Sequence, residues 1–190
     1  MAAWRPEHRK VEDFLFERRI LQLRGPLDEA VAGEVCSRLM YLDGGGDDAV
    51  TLYVDSPGGP VHAGLTVVDT IELLGVPVDT ICVGRAEGSA VALIAAGRRR
   101  RAAPHAHFRL CEPDVTADGR AAQLQAWAEH HTRQSASLAG VLARTTGRPQ
   151  EHVEADIAAG RWMDSAAAVA YGIVDEVWAA ERGSHGSVTD

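Results

Sequence analysis

The sequence predicts an α/β domain with a largely parallel sheet, on three observations. Short apolar strand-like runs alternate with helix-like runs along the chain. The links between them are short and marked by Gly and Pro, as expected where strand–helix units stack into layers. One stretch, Arg120 to Thr146, departs from this rhythm: it contains no Pro and no Gly except Gly140. No internal repeat, low-complexity segment or second domain is visible, so the 190 residues are assigned to one domain with a sizeable core.

Arg19-Ile-Leu-Gln-Leu-Arg24 reads as a strand closed by Gly25. A helix follows from Asp28 to about Leu42, with Val31, Val35, Leu39 and Leu42 on one face, and ends in the loop Asp43-Gly-Gly-Gly-Asp-Asp48. Ala49 to Asp55 is a buried strand. Pro60 to Leu74 reads as a helix with Pro at its first position and Gly75 beyond its end. Val78 to Val83 is the next strand, and Gly88 to Ala96 a short Ala-rich helix stopped by Gly97. The basic cluster Arg98–Arg101 reads as a solvated turn that complements the helix C-terminal dipole. His107 to Cys111 is a short strand. Pro149 starts a helix, Asp164 caps Ser165–Tyr171, Gly172 sits just past its end, and Ile173 to Trp178 is a final strand. The last residues, Glu181 to Asp190, are polar and read as a disordered tail.

The stretch from Arg120 to Thr146 would span about 40 Å as one helix, more than the width of a small domain. Leu124, Trp127, His131, Leu138, Val141 and Leu142 recur near a 3.5-residue period along it. A projecting helix with an apolar stripe needs a partner surface, either another copy or a related subunit. The alternative is two shorter helices broken near Gly140. One glycine costs a helix only about 1 kcal/mol, which favours the single helix. The head of the domain then comprises residues of about 11–110 and 149–179, and the projection about 111–148.

Composition narrows the function. Charged residues are 24% and apolar ones 46%, an ordinary globular balance, and aromatics are sparse at 5%. No apolar run is long enough to cross a bilayer, and Met1 to Lys10 has no apolar core of a signal peptide. A cytoplasmic location and no membrane partner are expected. The net charge of −8 and the lack of aromatics among the arginines argue against a nucleic-acid partner. The three cysteines, Cys36, Cys82 and Cys111, are scattered without a CxxC pair, so neither a disulfide framework nor a metal site is expected, and no cofactor is implied.

Two loops carry the chemistry. Asp55-Ser-Pro-Gly-Gly-Pro60 joins a strand to a helix. Adjacent glycines let the backbone turn sharply and expose N–H groups beside a helix N-terminus, where a developing oxyanion can be held. Gly-Gly before a helix is equally a plain tight turn. In the second loop, Val83-Gly-Arg-Ala-Glu-Gly-Ser-Ala-Val-Ala-Leu-Ile-Ala-Ala-Gly97, a strand again leads through glycine into a helix of small residues. A nucleophile at that helix start would be activated by the dipole and would face the first loop's amides. The residue in that place is Gly88.

With these two loops in hand, the chain resembles ClpP, the proteolytic subunit of the ATP-dependent Clp protease. The resemblance rests on Ser56-Pro-Gly-Gly59, Ala63-Gly64, Asp69-Thr70, Thr80-Ile-Cys82, Gly84, Ala95-Ala-Gly97, Pro104, Thr146-Gly147, Asp156 and Tyr171-Gly172. It runs without a gap from about Thr51 to Val177 and reaches back to about residue 13. It implies the ClpP/crotonase fold, with the long helix as the handle that joins two heptameric rings. It also places the family's catalytic serine on Gly88, its histidine on Cys111 within Cys111-Glu-Pro113, and its aspartate on Asp156. The oxyanion-hole amides fall on Gly59 and Ser89. Nucleophile and base are both absent, so the chain resembles the non-catalytic ClpR-type subunits.

Three functional expectations result. The first is an inactive subunit of homo- or hetero-oligomeric rings, which shapes the chamber or the docking surface for a AAA+ unfoldase. The second is a hydrolase of polypeptide that uses Ser89 or Cys111. Ser89, one step past the lost nucleophile, is rotated by about 100° on a helix start and should point away from the cleft. Cys111, within an apolar strand, should be inert as buried cysteines usually are. His105 and His107 read as a solvated strand entrance, with His107 too far along the strand to serve Cys111. The third is a stand-alone crotonase-fold protein that holds a carboxylate or acyl group on the Gly59 and Ser89 amides. Two departures from the family bear on assembly. Asp114-Val-Thr116 replaces glycines in the segment that pairs between rings and borders the peptide groove, and the N-terminal arm is short for an axial gating loop.

Overall fold

A computed structural model describes residues 8–112 and 120–178, with side chains from 11 onward and, in the second segment, all but those of 121 and 122. The expectations for 114–116 and for the tail 181–190 lie outside these residues. The elements, in order, are α1 (His8–Glu17), β1 (Ile20–Arg24), α2 (Glu29–Asp43), β2 (Val50–Ser56), α3 (Val61–Leu73), β3 (Val78–Glu87), α4 (Ser89–Ala95), β4 (Arg100–Ala102), β5 (His107–Arg109), α5 (Ala121–Thr146), α6 (Gln150–Ala158), β6 (Trp162–Asp164), α7 (Ser165–Tyr171) and β7 (Glu176–Val177). The predicted fold class holds: the strands form one mostly parallel sheet in the order β1-β2-β3-β4-β7. β5 and β6 branch from it, and β5–β6 is the antiparallel pair.

β1 and β2 bury alternate residues, Leu21 and Leu23 on one and Val50, Leu52 and Val54 on the other. Period-2 burial means that one face of the sheet is covered and the other is open. α2, α3 and α4 pack together, and α4 packs on β3. Gln22, Arg24, Tyr53, Asp55 and Val83 lie on the uncovered side and line a shallow cavity there. A parallel sheet is normally covered on both faces.

The strand that carries the second loop is longer than its sequence implied. β3 extends to Glu87 because it changes partner along its length: Thr80–Cys82 pair with β4, and Arg85–Glu87 pair with β5. Its register against β2 shifts between Val54 and Ser56. The bulge sits at Gly84, φ +120°, where any Cβ would press into the Asp55 carboxylate. Bulges bend strands and re-aim the residues beyond them, and here the end of β3 meets the first loop at Gly58.

Three local readings are corrected. Arg98–Arg101 is not a solvated turn: Arg100 and Arg101 open β4 and pair with Asp175 and Glu176 of the β7 region, while Arg98 pairs with Asp79. The carboxylates that neutralise them are distant in sequence, which hides the strand from local patterning. The final strand shrinks to Glu176–Val177, since Ile173 and Val174 are packed into the core before it. Pro60 is the cap of α3 with extended backbone and not its first helical residue. α1 and β6 have no counterpart in the sequence reading.

α5 runs unbroken past Gly140, as the single-helix reading expected. Its C-terminal half buries Leu138, Ala139, Val141 and Leu142 against α3, α4 and α6. Its N-terminal half is largely exposed, and Trp127 there stacks on His131 with ring centroids 5.3 Å apart.

Phe108 is fully buried where β5 meets the rest of the sheet, whereas Leu73 is 86% exposed. Phe108→Ala should lower the unfolding free energy in urea by about 3–5 kcal/mol, and Leu73→Ala should change it by less than about 0.5 kcal/mol.

Candidate functional site

The two loops singled out in the sequence lie against each other. In the first, the Gly58 N–H donates to the Ser56 hydroxyl (3.0 Å) and the Gly58 carbonyl accepts from the Leu27 N–H (3.0 Å). Gly58 has φ +78°, and a Cβ on it would collide with the Glu87 carbonyl of the second loop. The Gly-Gly pair is therefore required by close backbone approach, and not by the turn alone.

Gly88 stands between β3 and α4 with φ +52° and ψ −121°. That is the sharp, strained strand-to-helix bend that presents a nucleophile in hydrolase elbows, and glycine occupies it without strain. Its N–H is anchored by the Arg109 carbonyl at 2.9 Å. A Cβ at Gly88 would lie 3.3 Å from the Cys111 carbonyl and 3.8 Å from its sulfur. The structure thus brings Gly88 and Cys111 together as sequence reasoning placed them.

Cys111 itself is not in a strand. β5 ends at Arg109, and Cys111 lies two residues beyond with partial exposure. Alternation had extended the strand because Phe108 and Leu110 are apolar, but the pairing partner runs out first. Among the described residues, no cysteine forms a disulfide. Cys82 is the inert one: burial pushes its thiol up to about 12, with the Asp55 charge adding to the effect.

Ser89 is fully buried, with its side chain against the first loop. Its hydroxyl donates to the Gly59 carbonyl (3.1 Å) and accepts from the Gly59 N–H (3.2 Å). One of the two amides read as oxyanion donors is thereby occupied by a side chain of the chain itself. Gly64 of α3 allows this approach, since a Cβ there would run into Ser89.

Asp156 lies in α6, and its carboxylate is engaged elsewhere. It accepts from the Tyr171 hydroxyl at 2.8 Å and pairs with Arg161 at 3.0 Å. Burial would raise its pKa, but the hydrogen bonds from Tyr171 and Arg161 and the charges of Arg161 and Arg148 outweigh this and hold it below the usual carboxylate value. The β5–β6 register pairs Arg109 with Trp162, and the Leu110 N–H donates to the Arg161 carbonyl.

His107 is exposed and packs on Trp162, with centroids 5.7 Å apart. Sequence reasoning missed Glu87, Arg109 and Trp162, which join it on one face. Charges at alternate positions read as a solvated edge, and only the pairing of β3, β5 and β6 gathers them. Cavities of about 240 Å³ between α1, β1 and α2 and about 620 Å³ between α3, α5 and α6 do not reach Gly59, Gly88, Ser89 or Cys111. Among the described residues, no helix is long and apolar enough to cross a membrane.

A sequence-family model described as Clp protease matches residues 5–181. The match spans both loops, the long helix and the β5–β6 region.

Tyr171 titrates at about 12, pushed up by burial and by its bond to Asp156, so it stays a donor at neutral pH. Because the folded-state pKa of Asp156 is depressed, its stabilisation is present above the ordinary aspartate value of about 3.9 and is lost as pH falls through the folded value. In thermal melts, Asp156→Asn should be less stable than the parent chain at pH 7, and the gap should begin to close as pH falls below the ordinary aspartate value of about 3.9.

Proposed function

We propose that this chain, which belongs to the Clp protease family, is a ring subunit of an ATP-dependent Clp complex that no longer cleaves peptide bonds. Its mixed α/β architecture and mostly parallel sheet are those of the ClpP/crotonase-like fold. The observation that carries the reading is the Gly88 elbow: the strained backbone that would aim a nucleophile is intact, and no side chain stands on it.

Two further features support the loss of hydrolysis. The residue beside the elbow is Cys111, where the resemblance puts the family's histidine. Acyl transfer needs nucleophile, base and oxyanion donors in one place. Here the Gly59 amide is also held by the Ser89 hydroxyl, so a substrate carbonyl would have to displace an internal bond to enter. Rescue by Ser89 is disfavoured by the same contact, because the hydroxyl is buried against Gly59 and not at the elbow.

Assembly is supported by two surfaces. The parallel sheet has an uncovered face, and the first half of α5 projects with Trp127 40% exposed. Both suit contacts with ClpP-like subunits, in homo- or hetero-oligomeric rings, single or stacked. In this reading the subunit lines a chamber that receives polypeptide from a AAA+ unfoldase, in the cytoplasm, and contributes shape and binding without chemistry.

Native mass spectrometry of the chain, alone and mixed with an active ClpP, should show multi-subunit rings that contain it. A fluorophosphonate or β-lactone probe should leave it unlabelled under conditions that label the active ClpP. A monomer in both samples overturns the assembly part of the reading. Labelling that disappears with Ser89→Ala or Cys111→Ala overturns the inactivity part.

A further inference from the structure

Cross-strand pairing places two rows of side chains on the outer face beside the Gly88 turn. Glu87, Arg109 and Trp162 are paired positions across β3, β5 and β6, and Arg85 and His107 are paired positions one step away. Side chains at paired positions share a face. The rows are not a set of matched ion pairs. A single carboxylate, Glu87, lies beneath two guanidinium groups: Arg85 at 3.3 Å and Arg109 at 3.8 Å. The Glu87 side chain is only 11% exposed, while those of Arg85 and Arg109 are 46% and 40% exposed. Glu87 is therefore held below and the two guanidinium groups are presented outward, while the exposed Asp164 opposite His107 caps α7, in a chain whose net charge is −8.

Arg109 is the least satisfied member. Its contact with Glu87 is longer than a hydrogen bond, and its buried Nε has no partner among the described residues. The guanidinium is fixed on the indole of Trp162, 5.1 Å from the ring centroid. Trp162 is itself 56% exposed and flanked on its other side by His107. Gly160 lies against this guanidinium: a Cβ there would be 3.6 Å from its Nη2 and 3.8 Å from its Nε. The Arg109 side chain is 40% exposed, and its outer nitrogens suit charge-assisted capture of a carboxylate.

We propose that this face binds the carboxylates of acidic polypeptide, with Arg109 as anchor, Arg85 as second cation and Trp162 as the platform beneath. The inference rests on the reading that the subunit holds polypeptide without cutting it, and it names which polypeptide: segments rich in Asp and Glu, or an exposed C-terminal carboxylate. The Arg109 carbonyl is the acceptor that anchors the Gly88 N–H, so the bound carboxylate lies next to the vacant elbow.

Calorimetric titration of the full chain with three short peptides tests this. One is Glu/Asp-rich with an amidated C-terminus, one is Ala/Ser-rich with a free C-terminal carboxylate, and one is Ala/Ser-rich and amidated. At least one of the first two should bind about tenfold or more tighter than the third, and more weakly as salt rises. Binding of the first identifies side-chain carboxylates as the source, and binding of the second alone identifies the C-terminus. Arg109→Gln should remove the preference. Gly160→Asp should do the same by placing an internal carboxylate beside Arg109, at a φ of +64° that Asp tolerates. Because Arg109→Gln also disturbs Glu87, Gly160→Asp at an unchanged melting temperature is the decisive variant. Equal binding of all three peptides, or a preference that survives Gly160→Asp, overturns the proposal. Ring formation without acidic preference would defeat this inference alone, and acidic preference in a monomer would defeat the ring reading alone.

Discussion

The close approach of two strand-to-helix turns governs this molecule. The chain at Gly58 comes so near to the Glu87 carbonyl that no side chain fits between them. Everything at the candidate site derives from that proximity. The Gly84 bulge lets β3 change partners and delivers Gly88 to the first loop, and the Arg109 carbonyl secures it there. The Ser89 hydroxyl then closes the gap by bonding both backbone groups of Gly59. The backbone bends as in a nucleophile elbow, and the groups gathered there are Gly88, the Cys111 thiol and the Ser89 hydroxyl.

Such a scaffold can persist without catalysis because its geometry also serves packing. The elbow joins β3 to α4, and every residue of that helix from Ser89 to Ala95 is buried. Relaxing the turn would shift the helix that α3 and α5 both pack against. A strained φ at a catalytic serine is tolerated for function; the same φ at glycine costs little and keeps the helix in place. Loss of the nucleophile therefore needs no compensating change in the fold.

The surface beside the elbow has a charge arrangement of its own. Arg85 and Arg109 share the sunken Glu87, and Trp162 holds the second guanidinium flat. The chain is acidic overall, so this outward positive face stands against its average field. Positive charge beside this turn would select what polypeptide lingers there, a task that needs no bond to break.

The element types, the parallel sheet, the unbroken long helix and the juxtaposition of Gly88 with Cys111 could all be read from the chain. The first three rest on local signals such as apolar periodicity and Pro and Gly at element ends, whereas the pairing of Gly88 with Cys111 was implied by the resemblance to ClpP. Non-local pairing escaped the reading. Arg100 and Arg101 form a strand because Asp175 and Glu176 neutralise them from across the sheet, and Cys111 lies outside a strand because its partner ends at Trp162. Tertiary structure alone decided that the Ser89 hydroxyl bonds both backbone groups of Gly59 and that Asp156 is bonded to Tyr171 and Arg161. Periodicity records which way a side chain faces, but the partner it meets there comes from another part of the chain and is set only when the strands pair.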